Sequence, residues 1–528
     1  MKKKSLATYI LFALFILQFL AIAFFNLTQL DKHIGIDTST YFFQTIETWR
    51  QKSLILSDWE YQTTFAIDSP VPLAALFYGI CGNVFIAYGL ANTILSGVFL
   101  FVLFRLIRYF KMSDEAMLIV LNLAECLHFS DFFDNYNSLE YGSVLLIQNG
   151  AYVVKTIIAL LIILSAVTFI ENKKNIPLLC VTGVLVFICS MSSGFWLFAT
   201  VIVPMILWRV IKKALEKNWI GIFKDKIFIF LAALVFVSFA GQYVMVVCLD
   251  HLTIDSTMNM VTLETFWDNI HAVVLGYLEL TGSLPLHETS VLSSDGIMMC
   301  MYLTVAVITI VAVIRYIKKI AEDEKVQSLY SVMFGNIALY LICNTLLGAR
   351  FFEVRYLVVF YLLATIILGR FIDSDMFERF GRRQMLALIT VTLFALNLYS
   401  DLLYYNKTIN NARLNGIIAS VKQCDVDTVY FYGLSNIVYA RDLRALDSDN
   451  VYKLVIDDYY VYHWGDTLRN DDWMTGSRKL IIYDPAGETD LPAHVLEGST
   501  VYSEDIEGYV FLLYDGAIPE FNHDYIMY

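Results

Sequence analysis

The chain has 528 residues, of which 58% are hydrophobic and only 16% are charged, and its mean hydropathy is +0.60. A soluble domain is nearer half apolar and a quarter charged, so this composition excludes an ordinary soluble protein and indicates an integral membrane protein. The net charge is −13 and no segment is basic enough to bind nucleic acid, which excludes that class of function.

The N-terminus has three lysines, Lys2 to Lys4, ahead of an apolar run. The run is too long for a signal peptide and lacks a small-residue cleavage site, so it predicts a retained first span with its lysines in the cytosol. Reading on for runs that approach the length of a span gives eleven in all. They are residues 6–27, 84–106, 114–128, 152–171, 176–192, 194–208, 227–249, 297–314, 329–348, 356–371 and 385–404.

The basic residues favour this topology. With the N-terminus inside, the inside segments hold 22 Lys and Arg, whereas the outside segments before the C-terminal region hold six. Cytosolic segments of membrane proteins are enriched in these residues, so the split places the C-terminus outside the cell. The long outer connections are then residues 28–72, 129–151 and 250–296, within a transmembrane domain over residues 1–404.

Residues 405–528 have a different composition, with 20 acidic residues against nine basic ones. Four runs of β-branched and aromatic residues, bounded by Gly, Asp and Asn, predict strands, and a helix is predicted ahead of them. The strands are at 428–432, 452–456, 479–483 and 509–514, and the helix is at 411–422. We therefore predict a small extracytoplasmic α/β domain. No two cysteines have a metal-site spacing, and seven of the eight lie in or beside apolar segments, so neither disulfides nor a thiolate metal site are predicted.

The first outer connection carries acids and aromatic residues just above the membrane surface. Asp37 follows the first span by about ten residues, and a carboxylate there can act as a base toward a hydroxyl group. The alternative is that Asp37 and the Thr-Ser-Thr after it simply open a helix. Tyr41 and Glu60, in the same connection, are predicted to contact substrate.

Asp131 and Asp134 lie in the second outer connection, and Trp267 lies in the third. The two acids are predicted to join Asp37 in one catalytic site, with or without a divalent cation held by their oxygens; the alternative is a solvated loop. Trp267 belongs to an amphipathic helix over 262–280 on the outer leaflet and is a predicted substrate contact. His271 and His287 have no recognised metal spacing.

Three basic residues lie at the outer level of the membrane and are predicted to bind phosphate: Lys155, Arg350 and Arg355. An ionisable residue at this depth is a candidate for function, and guanidinium groups suit a phosphate or pyrophosphate. Alternatives are snorkelling of Lys155 or its pairing with Glu125, and pairing of the arginines with Glu353. The chain has no Walker A loop, GxSxG, HExxH or GxGxxG with a strand-helix context, which excludes the common ATPases, serine hydrolases and zinc proteases.

The order of these parts resembles the GT-C membrane glycosyltransferases, the superfamily that includes protein O-mannosyltransferases and bacterial polyprenyl-phosphate-sugar transferases. The resemblance covers about residues 1–404. It rests on the long first outer loop with Asp37, on Pro70-Val71-Pro72 and then Gly82 before the second span, on the acidic second loop, and on Arg355-Tyr356-Leu357 at the start of a late span. Two departures are that Thr38 follows Asp37 where many relatives have a second acid, and that no proline follows Arg-Tyr-Leu closely.

The resemblance implies an inverting transferase that uses a polyprenyl-phosphate sugar on the outer face of the plasma membrane. Asp37 would then be the base toward a glycan, lipid or protein acceptor, and the three basic residues would hold the donor phosphate. Three other functions stay open at this point, and one of them is a scaffold or sensor whose C-terminal domain carries the function. A lipid-linked-sugar transporter would have charges through its span interiors, and an O-antigen polymerase or ligase would have paired arginines in one long outer loop. The sugar, the acceptor and the oligomeric state are not encoded in any pattern that we recognise.

Overall fold

A computed structural model of the chain describes residues 5–57, 59–61, 64–129, 141–148, 150–171, 175–248, 262–284, 290–342, 354–373, 381–406, 412–426, 428–432, 437–456, 459–462, 466–467, 474–483, 491–506 and 509–521. The described helices are α1 (Leu6–Thr28), α2 (Ile36–Gln51), α3 (Val71–Cys81), α4 (Val84–Ile107), α5 (Asp114–Glu125), α6 (Tyr141–Leu145), α7 (Val153–Ile170), α8 (Ile176–Ser193), α9 (Val203–Leu215), α10 (Lys226–Cys248), α11 (Leu263–Leu280), α12 (Ser294–Tyr316), α13 (Glu324–Leu341), α14 (Val358–Ile372), α15 (Arg382–Asn406), α16 (Ala412–Gln423), α17 (Ile437–Leu446) and α18 (Ala493–Gly498).

Each of the eleven predicted spans contains a helix. Among the described residues, eight helices are long and apolar enough to cross a membrane: α1, α4, α7, α8, α10, α12, α14 and α15. The other three are α5, which has 12 residues, α9, which follows a π-helical turn at Phe198–Ile202, and α13, which begins with Glu324 and Lys325. The protein is therefore a polytopic helical membrane protein.

Two helices form the centre of the bundle. About four-fifths of the most apolar 18-residue stretch is buried in α7 (83%) and in α14 taken with the turn before it, Arg355–Ile372 (78%). In α1, α8, α10, α12 and α15 the share is a third or less. A helix that is apolar all round and buried all round belongs in a core, and one that leaves apolar residues exposed faces lipid. The main hydrophobic core accordingly joins α7 and α14 to α4 and α5.

The connections between the helices lie at two opposite ends of the bundle. At the end that we call the N-terminal face, Ser5 Oγ donates to Glu115 at 2.7 Å, and Lys325 Nζ and Arg370 Nη1 donate to the carbonyls of Tyr109 and Phe110. The other end carries α2, α3 and the C-terminal domain, and we call it the domain face. At this end Gly82, with φ at +66°, closes α3, and Asn83 caps α4 by accepting from the N–H of Ile86.

The described part of the second outer connection, residue 129 with residues 141–148 and 150–151, is buried, and its apolar side chains belong to the main core. Asp131 and Asp134, to which the solvated-loop alternative applied, lie outside the described residues. Buried backbone groups need partners, and side chains of α1 and α4 supply them: Asn26 Nδ2 and Ser96 Oγ donate to the carbonyl of Leu146, and Asn92 Nδ2 donates to that of Gln148. This segment is a re-entrant part of the bundle.

The C-terminal domain is a six-stranded mixed sheet with helices on both faces. Its strands run in the order β4-β3-β2-β6-β8-β7, with β2 parallel to β3 and β6 and the other pairs antiparallel. All four predicted strands and the predicted helix are present. The strands are β2 (Thr428–Tyr432), β3 (Val451–Ile456), β4 (Tyr460–Tyr462), β6 (Arg478–Tyr483), β7 (Thr500–Ile506) and β8 (Tyr509–Asp515).

The domain is attached to the first outer connection as well as to α15. Strand β1 (Trp59–Glu60) pairs antiparallel with β5 (Asp466–Thr467). Ala445 of α17 is buried in one cluster with Leu30, Ile34 and Phe42, and Arg50 Nη2 donates to the carbonyl of Ser448 at 3.1 Å. The sheet domain therefore packs directly against α2.

Candidate functional site

Asp37 lies in the first turn of α2, at the domain face. The helix begins at Ile36 with Gly35 as its N-cap, so Asp37 does not cap it, and the Thr-Ser-Thr that follows Asp37 continues the helix. Four residues before Asp37, the carbonyl of His33 accepts from Gln148 Nε2 at 3.2 Å, which ties this end of α2 to the buried segment that leads into α7. Tyr41 lies one turn after Asp37, half-buried, and packs against the membrane core and the cluster around Phe42.

Lys155 lies in the first turn of α7 and is buried at the domain face. Its Nζ is 3.9 Å from Oδ2 of Asp68, and the exposed side-chain fractions of the two residues are only 8% and 1%. The alternative that Lys155 pairs with Glu125 is therefore wrong, since its acidic neighbour comes from the first outer connection. Both carboxylate oxygens of Glu125 are buried without a hydrogen-bond partner in the described part of the chain.

Asp68 is held by three donors from the end of α8. Ser192 Oγ and Ser193 Oγ donate to its Oδ1 at 2.6 and 3.0 Å, and Cys189 Sγ donates to its Oδ2 at 3.1 Å. The same Ser192 accepts from the N–H of Ile67, and its carbonyl accepts from the N–H of Phe65. These bonds hold the carboxylate of Asp68 independently of Lys155. At 3.9 Å, the contact with Lys155 is the longest of the four side-chain contacts that Asp68 makes here.

The ring of Tyr152 lies between two of the predicted phosphate-binding residues. Lys155 Nζ is 4.7 Å from the ring centroid, and Arg355 Cζ is 5.6 Å from it. Both distances suit cation–π contact. Arg355 is half-buried in a short 3₁₀ turn, Val354–Leu357, immediately before α14, and Tyr356 and Trp196 also contact the Tyr152 ring. Two residues 200 positions apart in the sequence therefore meet at one aromatic side chain.

The other predicted site residues are more dispersed. Glu60 is half-buried in β1, opposite Asp466 of β5, and so lies at the joint with the C-terminal domain. Trp267 is on α11 with 63% of its surface exposed, next to Phe266, and no described contact joins it to Lys155 or Arg355. Asp131, Asp134 and Arg350 fall outside the described residues, as do residues 285–289 with His287.

Sequence reasoning missed the residues that organise this site: Asp68, Ser192, Cys189 and Tyr152. In the sequence, Asp68 is one of several acids in the polar first outer connection. The two serines ended an apolar span. Only their convergence in three dimensions distinguishes them. Within the described residues, no group of three His, Cys, Asp or Glu side chains could hold a metal ion.

The chemistry available here is the recognition of an anion. One ammonium and one guanidinium share an aromatic neighbour at the level where the bundle meets the C-terminal domain, and such groups bind phosphate through charge-assisted hydrogen bonds. The ammonium is loosely countered by a carboxylate that has its own hydrogen-bond donors.

The fold has counterparts among solved structures, although no protein-family model and no curated protein sequence matches the chain. ArnT from Cupriavidus metallidurans in the apo state aligns with a TM-score of 0.58 and 11% identity over 95% of this chain and 97% of that one. The same protein bound to undecaprenyl phosphate aligns with a TM-score of 0.55 and 10% identity over the same shares. The chain thus has the fold of the GT-C membrane glycosyltransferases over nearly its whole length, C-terminal domain included.

Proposed function

We propose that the chain is an inverting glycosyltransferase that moves a sugar from a polyprenyl-phosphate donor to an acceptor at the domain face. The observation that carries the proposal is the meeting of Lys155 and Arg355 at Tyr152, beside Asp68. The fold supports it, because one of the structures that share this fold was determined with undecaprenyl phosphate bound. Membrane lipids and a polyprenyl-phosphate sugar are the partners that this function requires.

The donor phosphate would be held by Lys155 and Arg355, with Arg350 as the third predicted residue. In the transfer step, the bond between the anomeric carbon and the phosphate oxygen breaks and negative charge develops on the phosphate. Fixed cations aimed at that position stabilise the charge most in the transition state. Because Lys155 is buried, its charge acts through less water than a surface lysine would and interacts more strongly.

The acceptor hydroxyl would attack the anomeric carbon from the opposite side, which inverts its configuration. Its proton would pass to Asp37, in the first turn of α2. Asp131 and Asp134 are proposed to assist Asp37 directly or through a divalent cation. Tyr41, Glu60 and Trp267 are proposed substrate contacts, and the position of Glu60 at the joint with the C-terminal domain favours contact with the acceptor.

The domain face would be the extracytoplasmic face of the plasma membrane. The 22-to-six split of basic residues supports this orientation, with the lysine-rich N-terminus in the cytosol. The acceptor would then be a cell-surface glycan, lipid or protein. The sheet domain packs against α2, the helix that carries the proposed base Asp37, and this proximity suits a role in acceptor choice.

The test is turnover by the purified full-length protein mixed with polyprenyl-phosphate sugars, with release of polyprenyl phosphate followed by mass spectrometry. We expect the wild type to release it, Asp37→Asn to bind donor without turnover, and Lys155→Met and Arg355→Gln to raise KM for the donor. Lys318→Met and Arg315→Gln are matched controls, because these exposed cations lie at the N-terminal face. The product should carry the inverted anomer.

Two results would replace this proposal. If no donor is consumed while lipid-linked sugars cross the bilayer of reconstituted vesicles, the chain is a transporter. If only a lipid-pyrophosphate glycan is consumed, it is a ligase or polymerase. Unchanged kinetics in both Lys155→Met and Arg355→Gln would remove these residues from the donor site.

A further inference from the structure

A polar cavity lies at the N-terminal face, at the other end of α7 from Lys155. Its volume is about 400 Å³, and it is formed where the ends of α7 and α9 meet the starts of α10 and α13. Phe169 and Ile170 form its apolar wall. Fourteen residues of helix separate Lys155 from Phe169, so the cavity is about 21 Å along the helix axis from the proposed donor site. The proposed function does not use it.

The lining of the cavity is mainly cationic. Four basic side chains line it, Arg209, Lys213, Lys224 and Lys226, against two acids, Asp225 and Glu324. With these side chains charged, the net charge of the lining is +2. A basic pocket at the cytosolic level of a helical bundle is the kind of site that binds anionic headgroups.

The two acids are already engaged by the protein. Arg209 has an exposed side-chain fraction of only 6%, and its Nη1 contacts both Glu324 and, at 3.5 Å, Asp225. Lys212 Nζ donates to the same oxygen of Glu324 at 3.2 Å. Asp225 also accepts the N–H of Ile227 at the start of α10. The buried arginine therefore fixes the floor of the cavity, while Lys224 and Lys226 stay exposed at its rim, with no acidic partner recorded within the described segments.

The rim of the cavity has the features of a membrane interface. The 3₁₀ turn Ile220–Lys224 forms one side of it. Trp219, Ile220 and Phe223 of this segment expose 59%, 77% and 73% of their surfaces, although they are large and apolar. Aromatic residues beside basic ones are typical of segments that lie at the level of lipid headgroups. These features favour an opening at the level of the headgroups.

We propose that this cavity binds the phosphate-bearing headgroup of an anionic phospholipid from the leaflet at the N-terminal face. The phosphate would lie between Lys224 and Lys226, with the Arg209 side chain and Lys213, which also pairs with Glu216 at 2.7 Å, behind it. The acyl chains would extend beside Trp219 and Phe223. A free anion would satisfy the same cations, but it would gain nothing from the exposed apolar residues. The lipid is therefore the occupant that uses both features.

The experiment uses the full-length protein in phosphatidylcholine vesicles that contain a minor fraction of dibrominated phosphatidylglycerol or of dibrominated phosphatidylcholine. Bromine quenches nearby tryptophan, and the difference between wild type and Trp219→Phe isolates the signal of Trp219. We expect phosphatidylglycerol to quench Trp219 at a lower mole fraction than phosphatidylcholine. Each basic residue at a membrane surface contributes about a fivefold increase in binding. Lys224→Gln with Lys226→Gln should therefore weaken the preference of the protein for phosphatidylglycerol by about 25-fold.

The control variants distinguish lipid binding in the cavity from a general attraction between anionic lipids and the basic residues of this face. Lys318→Gln with Lys319→Gln removes two exposed cations of the same face outside the cavity and should leave the quenching unchanged. Lys224→Arg with Lys226→Arg should retain it. Equal quenching of Trp219 by the two brominated lipids would overturn the proposal. It would also be overturned if Lys318→Gln with Lys319→Gln reduced the quenching as much as Lys224→Gln with Lys226→Gln. Displacement of the lipid by millimolar inorganic phosphate would assign the cavity to a soluble phosphate compound instead.

Discussion

The pairing of Asp68 with Lys155 can be tested by a double-mutant cycle on stability. At 3.9 Å and an effective dielectric constant of about 20, the attraction between two unit charges is about 4 kcal/mol. Both side chains are nearly inaccessible, so solvent does not replace the lost partner when one is removed. Removing one member of a buried ion pair costs about 3–5 kcal/mol because the other charge is left without a counter-charge.

The two single variants should differ. Asp68→Asn leaves the buried ammonium of Lys155 unmatched, and we expect it to lower the free energy of unfolding by about 3 kcal/mol. Lys155→Met should cost less, because three donors from α8 continue to hold the carboxylate. The double variant should be more stable than the sum of the single changes by about 2 kcal/mol, which is the coupling between the two residues.

The assay is unfolding of the purified chain by sodium dodecyl sulfate in mixed micelles, followed by circular dichroism. Lys318→Met combined with Asp68→Asn is the matched control and should be additive, because Lys318 is exposed at the opposite face. Distant and independent sites have additive effects. If the effects of Asp68→Asn and Lys155→Met on the free energy of unfolding also add to within about 0.5 kcal/mol, the pairing is refuted.

Three further predictions concern packing and charge. Gly89→Ala should destabilise the chain by about 3 kcal/mol, because a Cβ there would lie 1.8 Å from the carbonyl oxygen of Asn26, whereas Gly183→Ala, with open space around it, should be neutral or stabilising in the same unfolding assay. Ala445→Arg should loosen the sheet domain from α2 and speed proteolytic release of a C-terminal fragment, and the exposed Ala493→Arg should not. Burial would raise the pKa of Glu324, but Arg209 and Lys212 lower it overall from 4.5. The ion pairs of Glu324 therefore stabilise the fold fully at a pH above 4.5, and this stabilisation is lost as the pH falls through the lowered pKa. In Glu324→Gln the free energy of unfolding should fall less steeply with decreasing pH on the acid side.

The membrane part of the fold could be predicted because hydropathy is a local property. Each of the eleven apolar runs contains a helix, and some of the described ends differ from prediction because a polar residue caps the helix. For example, α12 begins at Ser294, with Ser293 as its cap, rather than at residue 297. The apolar run itself does not contain this information, since capping is done by residues outside it.

The re-entrant segment before α7 could not be predicted in the same way. The sequence placed it in an outer connection. A buried irregular backbone needs partners, and these come from Asn26, Asn92 and Ser96, which lie 50 or more positions away from the carbonyls that they satisfy. The asparagines appeared in the sequence only as isolated polar residues within apolar spans. Which carbonyl each one satisfies depends on how the helices pack.

In the candidate site, too, the chemistry of the side chains could be predicted from the sequence, whereas their contact partners could not. The level of Lys155 and Arg355 in the membrane followed from the spans, and the chemistry of their side chains indicated phosphate. Their convergence on Tyr152 and the role of Asp68 depend on contacts between α7, α8, α14 and the first outer connection. In the C-terminal domain, alternation identified the strands, but the pairing order β4-β3-β2-β6-β8-β7 required the tertiary structure.

The most direct test of the central claim is equilibrium binding of undecaprenyl phosphate, without any sugar, to the purified chain. Loss of one charge-assisted phosphate contact is worth about 1.5–3 kcal/mol, so Lys155→Met and Arg355→Gln should each raise Kd by about 10- to 100-fold. The controls Lys318→Met and Arg315→Gln, and also Asp37→Asn, should keep the wild-type Kd. An unchanged Kd in both Lys155→Met and Arg355→Gln would contradict the assignment of the phosphate site to the residues around Tyr152.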